Sequence, residues 1–160
     1  MSAPESWLSD AEALRAAHPR HVIFLCVANS ARSQMAEGIA RSLAPKDVKM
    51  SSAGSRPSKV NPLAIRALDE IGIDIRSSHH SKIVDEIDPA GVDAVVTLCA
   101  EEVCPVFLGK ARRVHWGLPD PAGAGRTEEE QLQAFRKVRD ELRRRLSVVF
   151  EPPSVPSSKT

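Results

Sequence analysis

The sequence predicts a three-layer α/β fold in which a parallel sheet is flanked by helices, with an extra helix at the amino terminus. Two observations carry this prediction. The runs "HVIFLC" (21–26) and "DAVVTL" (93–98) are continuously apolar, which is typical of strands covered on both faces. Helical apolar spacing lies between the strand-like runs, so strands and helices alternate along the chain. In such sheets, ligands bind outside the carboxyl ends of the strands.

The elements of the amino-terminal half follow from caps and periodicity. Ser9 with Glu12 fits a capping box, and Pro19 closes the helix that this box begins. Residues 33–44 have the apolar spacing of a helix, and residues 48–55 resemble a second strand.

The carboxyl-terminal half continues the alternation. Asn61 and Gly72 are good start and stop signals for a helix, and residues 112–116 form a shorter strand. Thr127 with Glu130 gives a second capping box. The helix behind that box has a single apolar stripe, made of Leu132, Phe135, Val138, Leu142, Leu146 and Val149.

Length and composition limit the functions. The 160 residues suit one main domain, at 21–150, after a helical extension at 1–20 and before a proline- and serine-rich tail at 151–160 that we expect to be disordered. A formal net charge of +1 argues against bulk attraction to nucleic acid or to an anionic membrane. No apolar run approaches the roughly 20 residues that span a bilayer, and no signal-peptide pattern is present. We therefore expect a cytoplasmic protein.

A short loop of small residues joins the first strand to the next helix. Cys26 ends the strand, and Arg32 follows six residues later. Such a loop can turn consecutive amide groups inward as a nest for an oxyanion, supported by the helix dipole. The guanidinium group of Arg32 can bind two oxygens of a tetrahedral anion. The loop residues expected to bind the oxyanion are Val27, Ala28, Asn29, Ser30 and Ala31, together with Arg32.

The same loop predicts a nucleophile. Its positive field stabilises a thiolate at Cys26, and Ser33 is placed to donate a hydrogen bond to the sulfur. The alternative is that Cys26 is a small core residue and that Arg32 is a solvated charge at a helix start. An apolar strand before the loop, a helix after it and small residues between them favour the catalytic interpretation.

Two further chemical groups are predicted at the same edge of the sheet. Asp120 lies between two prolines and suits a general acid, although it could also be an ordinary turn residue. Cys99 directly follows a buried strand, and Cys104 lies five positions later. Either cysteine alone would be assigned to the core or to a loop. Beside a nucleophilic loop, the two together indicate a redox relay.

The motifs "CVANSARS", "SSAG" (51–54) and "LPDPA" (118–122) resemble those of the low-molecular-weight protein tyrosine phosphatase superfamily, including its arsenate reductases. The resemblance covers residues 21–150 and implies a four-stranded parallel sheet with Cys26 as nucleophile. "TLC" at 97–99 and "CP" at 104–105 are similar to the cysteine pair of the thioredoxin-coupled arsenate reductases.

This resemblance implies a mechanism and its partners. Cys26 attacks arsenate and Asp120 assists the loss of an oxygen. Cys99 then attacks Cys26, which releases arsenite, and Cys104 attacks Cys99, which moves the disulfide to Cys99–Cys104. Thioredoxin reduces the final disulfide, phosphate and sulfate compete as oxyanions, and no cofactor is needed. The gap between Cys99 and Cys104 is shorter than in some reductases of this branch, which leaves the details of the shuttle open.

Four residues are expected to support the loop: Asn29, Glu37, Ser52 and Lys82. Asn29 would brace it by hydrogen bonds, as Asn does in turns. Some reductases hold potassium beside this loop, and here Lys82 stands where the acidic ligand would be sought, so its charge would replace the ion. A solvated surface lysine is the alternative. His79 and His80 lack zinc-site spacing, and no metal is predicted.

Two other functions stay open at the level of sequence. One is a phosphatase that hydrolyses phosphoesters through a phosphorylated Cys26, with Cys99 and Cys104 as structural thiols. The other is a non-catalytic oxyanion-binding module that has kept the loop. The chain has no tyrosine, and "PAGAG" follows the acid, so an aromatic substrate would find little to stack on. This favours a small inorganic oxyanion.

Overall fold

The centre of the molecule is a four-stranded parallel sheet with the strand order β2-β1-β3-β4. The structure, a computed structural model, describes residues 6–77, 79–100 and 110–150. The predicted fold class is confirmed, including the extra amino-terminal helix. The strands are β1 (His21–Cys26), β2 (Lys49–Gly54), β3 (Ala94–Thr97) and β4 (Arg112–His115). The helices are α1 (Ser6–Ala17), α2 (Arg32–Leu43), α3 (Pro62–Asp69) and α4 (Glu128–Phe150), with short 3-10 turns at Val84–Glu86 and Pro89–Gly91.

The continuous apolar run of β1 is explained by burial on both faces of the sheet. Val22 and Phe24 belong to the large core that the α-helices share. Ile23 and Leu25 point to the other face, where Val84 of the first 3-10 turn packs against their cluster. Because successive strand residues point to opposite faces, a strand covered on both sides needs apolar residues at every position.

The first helix begins earlier than the capping pattern predicts. We expected a start at Ser9, whereas α1 begins at Ser6. Trp7 lies in the additional turn, and the guanidinium carbons of Arg144 and Arg145 on α4 lie 5.2 and 5.4 Å from the centre of its ring. This cation–π contact between two helices supplies a reason for the longer helix that no local pattern contains.

The other helix signals have the expected partners. The side chain of Asn61 accepts a hydrogen bond from Leu63 N at 2.8 Å, and Gly72 takes a φ of +84° after α3. Thr127 Oγ accepts from Glu130 N at 3.1 Å. The Glu130 carboxylate, however, accepts from Arg126 N at 2.7 Å, so the second bond of the capping box is made one residue earlier.

The sheet brings the ends of β1 and β3 to one edge. Leu98 N donates to Leu25 O at 2.9 Å, and each of these residues precedes a cysteine, Cys99 and Cys26 respectively. Adjacent strands lie about 4.8 Å apart. Cys26, at the end of β1, and Cys99, two residues beyond the end of β3, therefore lie near each other at this edge of the sheet. Within the described parts of the chain, no helix is both long and apolar enough to cross a membrane. The predicted disordered tail lies outside the described residues.

An ionic cluster joins α3 to α4. Glu70 accepts hydrogen bonds from Arg136 Nη2 at 2.6 Å and from Arg139 Nη1 at 2.8 Å. Arg139 is 8% exposed and also donates to Ala67 O at 2.9 Å, at the end of α3. The hydrogen bond from Arg136 is the main cause that lowers the pKa of Glu70 to about 2, and Arg139 adds to it. The cluster therefore needs an ionised Glu70.

We expect Glu70→Gln to lower the free energy of unfolding at pH 7 by about 1 kcal/mol, the scale of a partly exposed ionic network. The folded-state pKa lies below the unfolded value of about 4.3, so this contribution is complete above that value and is lost as the pH falls toward 2. Urea unfolding between pH 7 and pH 3 measures it. Glu129→Gln, which weakens the exposed 3.3 Å contact to Arg136 but leaves Glu70 in place, should cost less. A Glu70→Gln deficit that stays constant down to pH 3 would contradict this account.

Candidate functional site

A cavity of about 350 Å³ opens at the carboxyl edge of the sheet, beside the loop that joins β1 to α2. A thiol, a guanidinium group and a carboxylate are among the groups that line it. The described residues that line it are Cys26, Val27, Ala28, Ser30, Ala31, Arg32, Ser58, Asp120 and Ala122.

The carbonyl groups of the loop are bound by the segment that follows β2. Arg56 N donates to Val27 O at 2.9 Å, Ser58 N to Ala28 O at 3.1 Å and Asn61 N to the carbonyl of residue 30 at 2.9 Å. Among the described residues, no hydrogen bond uses the amide groups of 27–31. The carbonyl groups of this loop are therefore hydrogen-bonded, while its amide groups have no hydrogen-bond partner among the described residues. These are the features of an anion-binding nest.

Cys26 lies at the base of this loop and is only 2% exposed. Its Sγ is 2.9 Å from Ser33 Oγ, and Ser33 Oγ accepts a hydrogen bond from Asn29 Nδ2 at 2.8 Å. Cys26 is a free cysteine. A thiolate has no proton to give, so in that state Ser33 must be the donor of the bond to sulfur.

Asn29 is the hydrogen-bonding junction of the loop. It is fully buried and has a φ of +49°, a conformation that Asn tolerates better than most residues. Besides the bond to Ser33, its Nδ2 donates to Ser52 Oγ at 3.0 Å. Its Oδ1 accepts from Gln34 Nε2 at 3.0 Å and from Lys82 N at 2.8 Å. The side chain therefore ties the loop to α2, to β2 and to the segment around residue 82.

A buried carboxylate lies behind this junction. Glu37 Oε1 accepts from Ser52 Oγ at 2.6 Å, and Glu37 Oε2 pairs with Arg41 at 2.6 Å. His79 Nε2 is 3.8 Å from the same carboxylate, and His79 Nδ1 is 2.8 Å from Gln34 Oε1. Burial lowers the pKa of His79, and the opposing effect of Glu37 is smaller. His79 is therefore mainly neutral at pH 7, and Arg41 is the cation that balances Glu37.

Arg32 connects the loop to the two neighbouring parts of the edge. Its guanidinium group is buried, and Nη1 donates to Leu118 O at 2.9 Å and to Leu98 O at 3.4 Å. Its Nη2 is 3.8 Å from Asp120 Oδ2. Asp120 is half exposed, and its Oδ1 accepts from Ala122 N at 3.0 Å. One carboxylate oxygen thus stabilises the turn while the other faces Arg32, so the turn role and a chemical role are compatible.

Cys99 lies beside the loop, at the end of the strand next to β1. It is 1% exposed and disulfide-bonded. A Cβ atom on Gly117 would lie 3.0 Å from Cys99 O, so the chain that leads to Asp120 passes closely over this cysteine. Cys104, the predicted third member of the relay, lies outside the described residues. Three of the predicted groups, Cys26, Cys99 and Asp120, therefore converge at one edge.

Lys82 contacts the loop through its backbone amide and not through its charged side chain. Its backbone N–H binds Asn29, whereas its ammonium group reaches His80 O at 3.3 Å in an exposed position. The supporting contact is thus made by an amide that almost any residue could supply. Within the described chain, no cluster of three or more His, Cys, Asp or Glu side chains could hold a metal ion.

Sequence reasoning did not identify Gln34, His79 or Ser58 as part of this region. Gln34 and His79 sit in the network behind Asn29, and Ser58 lines the cavity. The histidine was considered only as a zinc ligand. A signal for Gln34 does exist in the sequence: a polar residue next to Met35 at the start of an apolar helix is expected to find a partner if it is buried.

Gly54 allows β2 to pass close to the loop. A Cβ atom there would lie 2.3 Å from Val27 O, 2.8 Å from Cys26 O and 2.9 Å from Asn29 N. All three are backbone atoms of the loop, so none can move aside without changing the nest. The last residue of "SSAG" is therefore required by the shape of the loop.

We expect Gly54→Ala to lower the free energy of unfolding by about 1–3 kcal/mol, the usual cost of overpacking, and to weaken the binding of phosphate to the reduced protein. Thermal unfolding and titration calorimetry measure the two effects. Gly91→Ala is the matched control, because no atom lies within 4 Å of a Cβ atom at that position. Tight phosphate binding by Gly54→Ala would show that the loop tolerates the shift and would contradict this interpretation.

Comparison with known proteins agrees with this geometry. The family model described as "Low molecular weight phosphotyrosine protein phosphatase" matches residues 21–153. The arsenate reductase of Bacillus subtilis is 46% identical over 132 residues, which cover 81% of this chain and 94% of that protein.

Solved structures show the same relationship. An arsenate reductase in a phosphate-binding state is 34% identical, with a TM-score of 0.66 over 80% of this chain and 94% of that one. A thioredoxin-dependent arsenate reductase of Corynebacterium glutamicum is 25% identical, with a TM-score of 0.55 over 90% of this chain and 71% of that one. The chain belongs to the low molecular weight phosphotyrosine protein phosphatase family, in its arsenate reductase branch.

Proposed function

We propose that this protein reduces arsenate to arsenite through a relay of three thiols, Cys26, Cys99 and Cys104, and that thioredoxin restores the reduced form. The observation that supports the proposal is the placement of two cysteines at adjacent strand ends, with one of them, Cys26, at the base of the loop that we propose binds the oxyanion. A hydrolase of this fold needs only the first. The relatives named arsenate reductase support the assignment of the substrate.

The first step forms a bond between sulfur and arsenic. The amides of residues 27–31 and the guanidinium group of Arg32 hold arsenate, and the thiolate of Cys26 attacks the arsenic atom. One arsenate oxygen leaves as water after it is protonated, with Asp120 as the proton donor. Arsenic remains As(V) at this stage. Asp120 lines the cavity next to Arg32, which is the position that this role requires.

The second step transfers two electrons. The thiolate of Cys99 attacks Cys26 sulfur, a sulfur–sulfur bond forms, and the sulfur–arsenic bond breaks with its electron pair going to arsenic, which leaves as arsenite. Cys104 then attacks Cys99, so that the disulfide becomes Cys99–Cys104 and Cys26 returns as a thiolate. The disulfide state of Cys99 beside a free Cys26 supports this order. Two thiols are oxidised for each arsenate reduced.

The walls of the cavity favour a small substrate. No aromatic side chain is among the described residues that line it, and the side chains beside Cys26 and Arg32 are small. An aryl ester would gain no stacking energy from these described residues. A tetrahedral inorganic oxyanion, by contrast, can be bound entirely by amides and a guanidinium group. Phosphate and sulfate are therefore expected as competitors.

The last disulfide requires an external dithiol. We infer that thioredoxin supplies it, because a dithiol of low reduction potential is the common cytoplasmic donor and because one structural relative is named as thioredoxin-dependent. The reducing cytoplasm, where reduced thioredoxin is maintained, is the compartment in which the cycle can run.

The proposal is tested by coupling arsenate reduction to NADPH oxidation through thioredoxin and thioredoxin reductase. We expect Cys99→Ser and Cys104→Ser each to reduce sustained turnover on the order of 100-fold or more, because each variant lacks one transfer of the relay. A single turnover separates the two. Cys104→Ser should release one arsenite per chain and trap a Cys26–Cys99 disulfide, which peptide mapping detects, whereas Cys99→Ser should release none.

A parallel assay with an aryl phosphate distinguishes the alternatives. Fast hydrolysis that is unchanged in Cys99→Ser, together with no reduction of arsenate, would identify a phosphatase. Tight phosphate binding without either reaction would identify a binding module. Continued turnover of Cys99→Ser with thioredoxin would exclude the relay.

A further inference from the structure

One wall of the cavity is built by a segment with no assigned role, residues 55–61, which we call the strap. Its backbone runs beside the oxyanion loop, and the amides of Arg56, Ser58 and Asn61 bind the loop carbonyls. Ser58 is the strap residue among the described residues that line the cavity. The strap thus brings one hydroxyl-bearing residue to the wall of the cavity in which an oxyanion would bind.

The hydroxyl group of Ser58 is available to a ligand. Ser33 and Ser52 use their hydroxyls in the buried network behind the loop. Nothing in the described chain hydrogen-bonds to the hydroxyl of Ser58, and the residue is exposed. Its backbone amide, not its side chain, anchors the strap to Ala28. Anchoring and ligand contact are therefore made by separate groups of one residue.

We propose that Ser58 is an oxyanion-binding residue, whose hydroxyl donates a hydrogen bond to an oxygen of the bound anion that faces the strap. The anion would then be held from two sides, by the loop amides and Arg32 on one and by Ser58 on the other. This inference rests on the proposed use of the cavity for arsenate, but it concerns binding alone and needs no thiol relay.

The expected size of the effect follows from the exposure of the group. A hydrogen bond to an anion is stronger than one between neutral groups, and contact with solvent weakens it. We expect Ser58→Ala to weaken phosphate binding about 3- to 10-fold. The arsenate KM should rise by a similar factor with kcat little changed, because the contact holds the substrate and the transition state alike.

The experiment measures phosphate binding to the fully reduced protein by titration calorimetry, and arsenate reduction in the thioredoxin-coupled assay. Ser58→Thr keeps the hydroxyl and should retain most of the affinity. Ser55→Ala is the matched control, because Ser55 is an exposed serine of the same strap that does not line the cavity. Thermal unfolding of all three variants should match that of the wild type, since each keeps its backbone amide.

The outcomes separate this inference from the proposed function. If the wild type binds phosphate and Ser58→Ala binds it equally well, Ser58 is not a ligand, while the assignment of the oxyanion loop stands. If Ser58→Thr loses as much affinity as Ser58→Ala, the hydroxyl is not the group responsible and the inference is overturned. If the wild type binds neither phosphate nor arsenate, the inference and the proposed function both fail.

Discussion

The hydrogen bonds of the buried side chain of Asn29 are the constraint on which the site depends. Among the described residues, no hydrogen bond uses the amides of the loop from 27 to 31, so these amides do not hold the loop in place. Asn29 replaces those missing bonds by joining Ser33, Ser52, Gln34 and the amide of Lys82. An amide side chain suits the position because it both donates and accepts, and because Asn tolerates the left-handed backbone found there.

A bound anion would balance the positive charge of Arg32 beside the loop. Arg32 is buried and directed by two carbonyl groups, so its orientation does not depend on the ligand. Glu37, the buried acid nearest to the junction, is paired with Arg41 on the far side of the network. Glu37 is thus neutralised by Arg41 within the network, whereas Arg32 lines the cavity 3.8 Å from the half-exposed Asp120 and supplies positive charge there for the oxyanion that we propose.

The features that could be predicted from the sequence are those that local chemistry dictates. A strand buried on both faces must be apolar throughout, and a loop that turns its amides inward must be built from small residues, so β1 and residues 26–33 were recognisable. The carboxyl ends of parallel strands share an edge of the sheet, so the sequence predicts Cys99 and Cys26 at the same edge.

The remaining features depend on contacts between distant parts of the chain. The start of α1 at Ser6 follows from the packing of Trp7 on α4, and the support from Lys82 comes from a backbone amide that carries no sequence signal. Gln34 meets His79, which lies 45 positions later in the chain, only after the intervening segment has folded back. Ser58 is brought to the cavity by a strap that has neither helical nor strand periodicity, so no pattern of residue types could identify it.

The most direct test of the central claim removes the side chain of Asn29 and leaves its backbone free to adopt the same conformation. Asn29→Gly does this, since glycine accepts a positive φ without strain. Titration calorimetry of the reduced protein with phosphate should show a loss of affinity of at least about 10-fold, because several buried hydrogen bonds are removed at once. Phosphate affinity equal to that of the wild type would show that the loop holds its shape without Asn29, and would contradict the account.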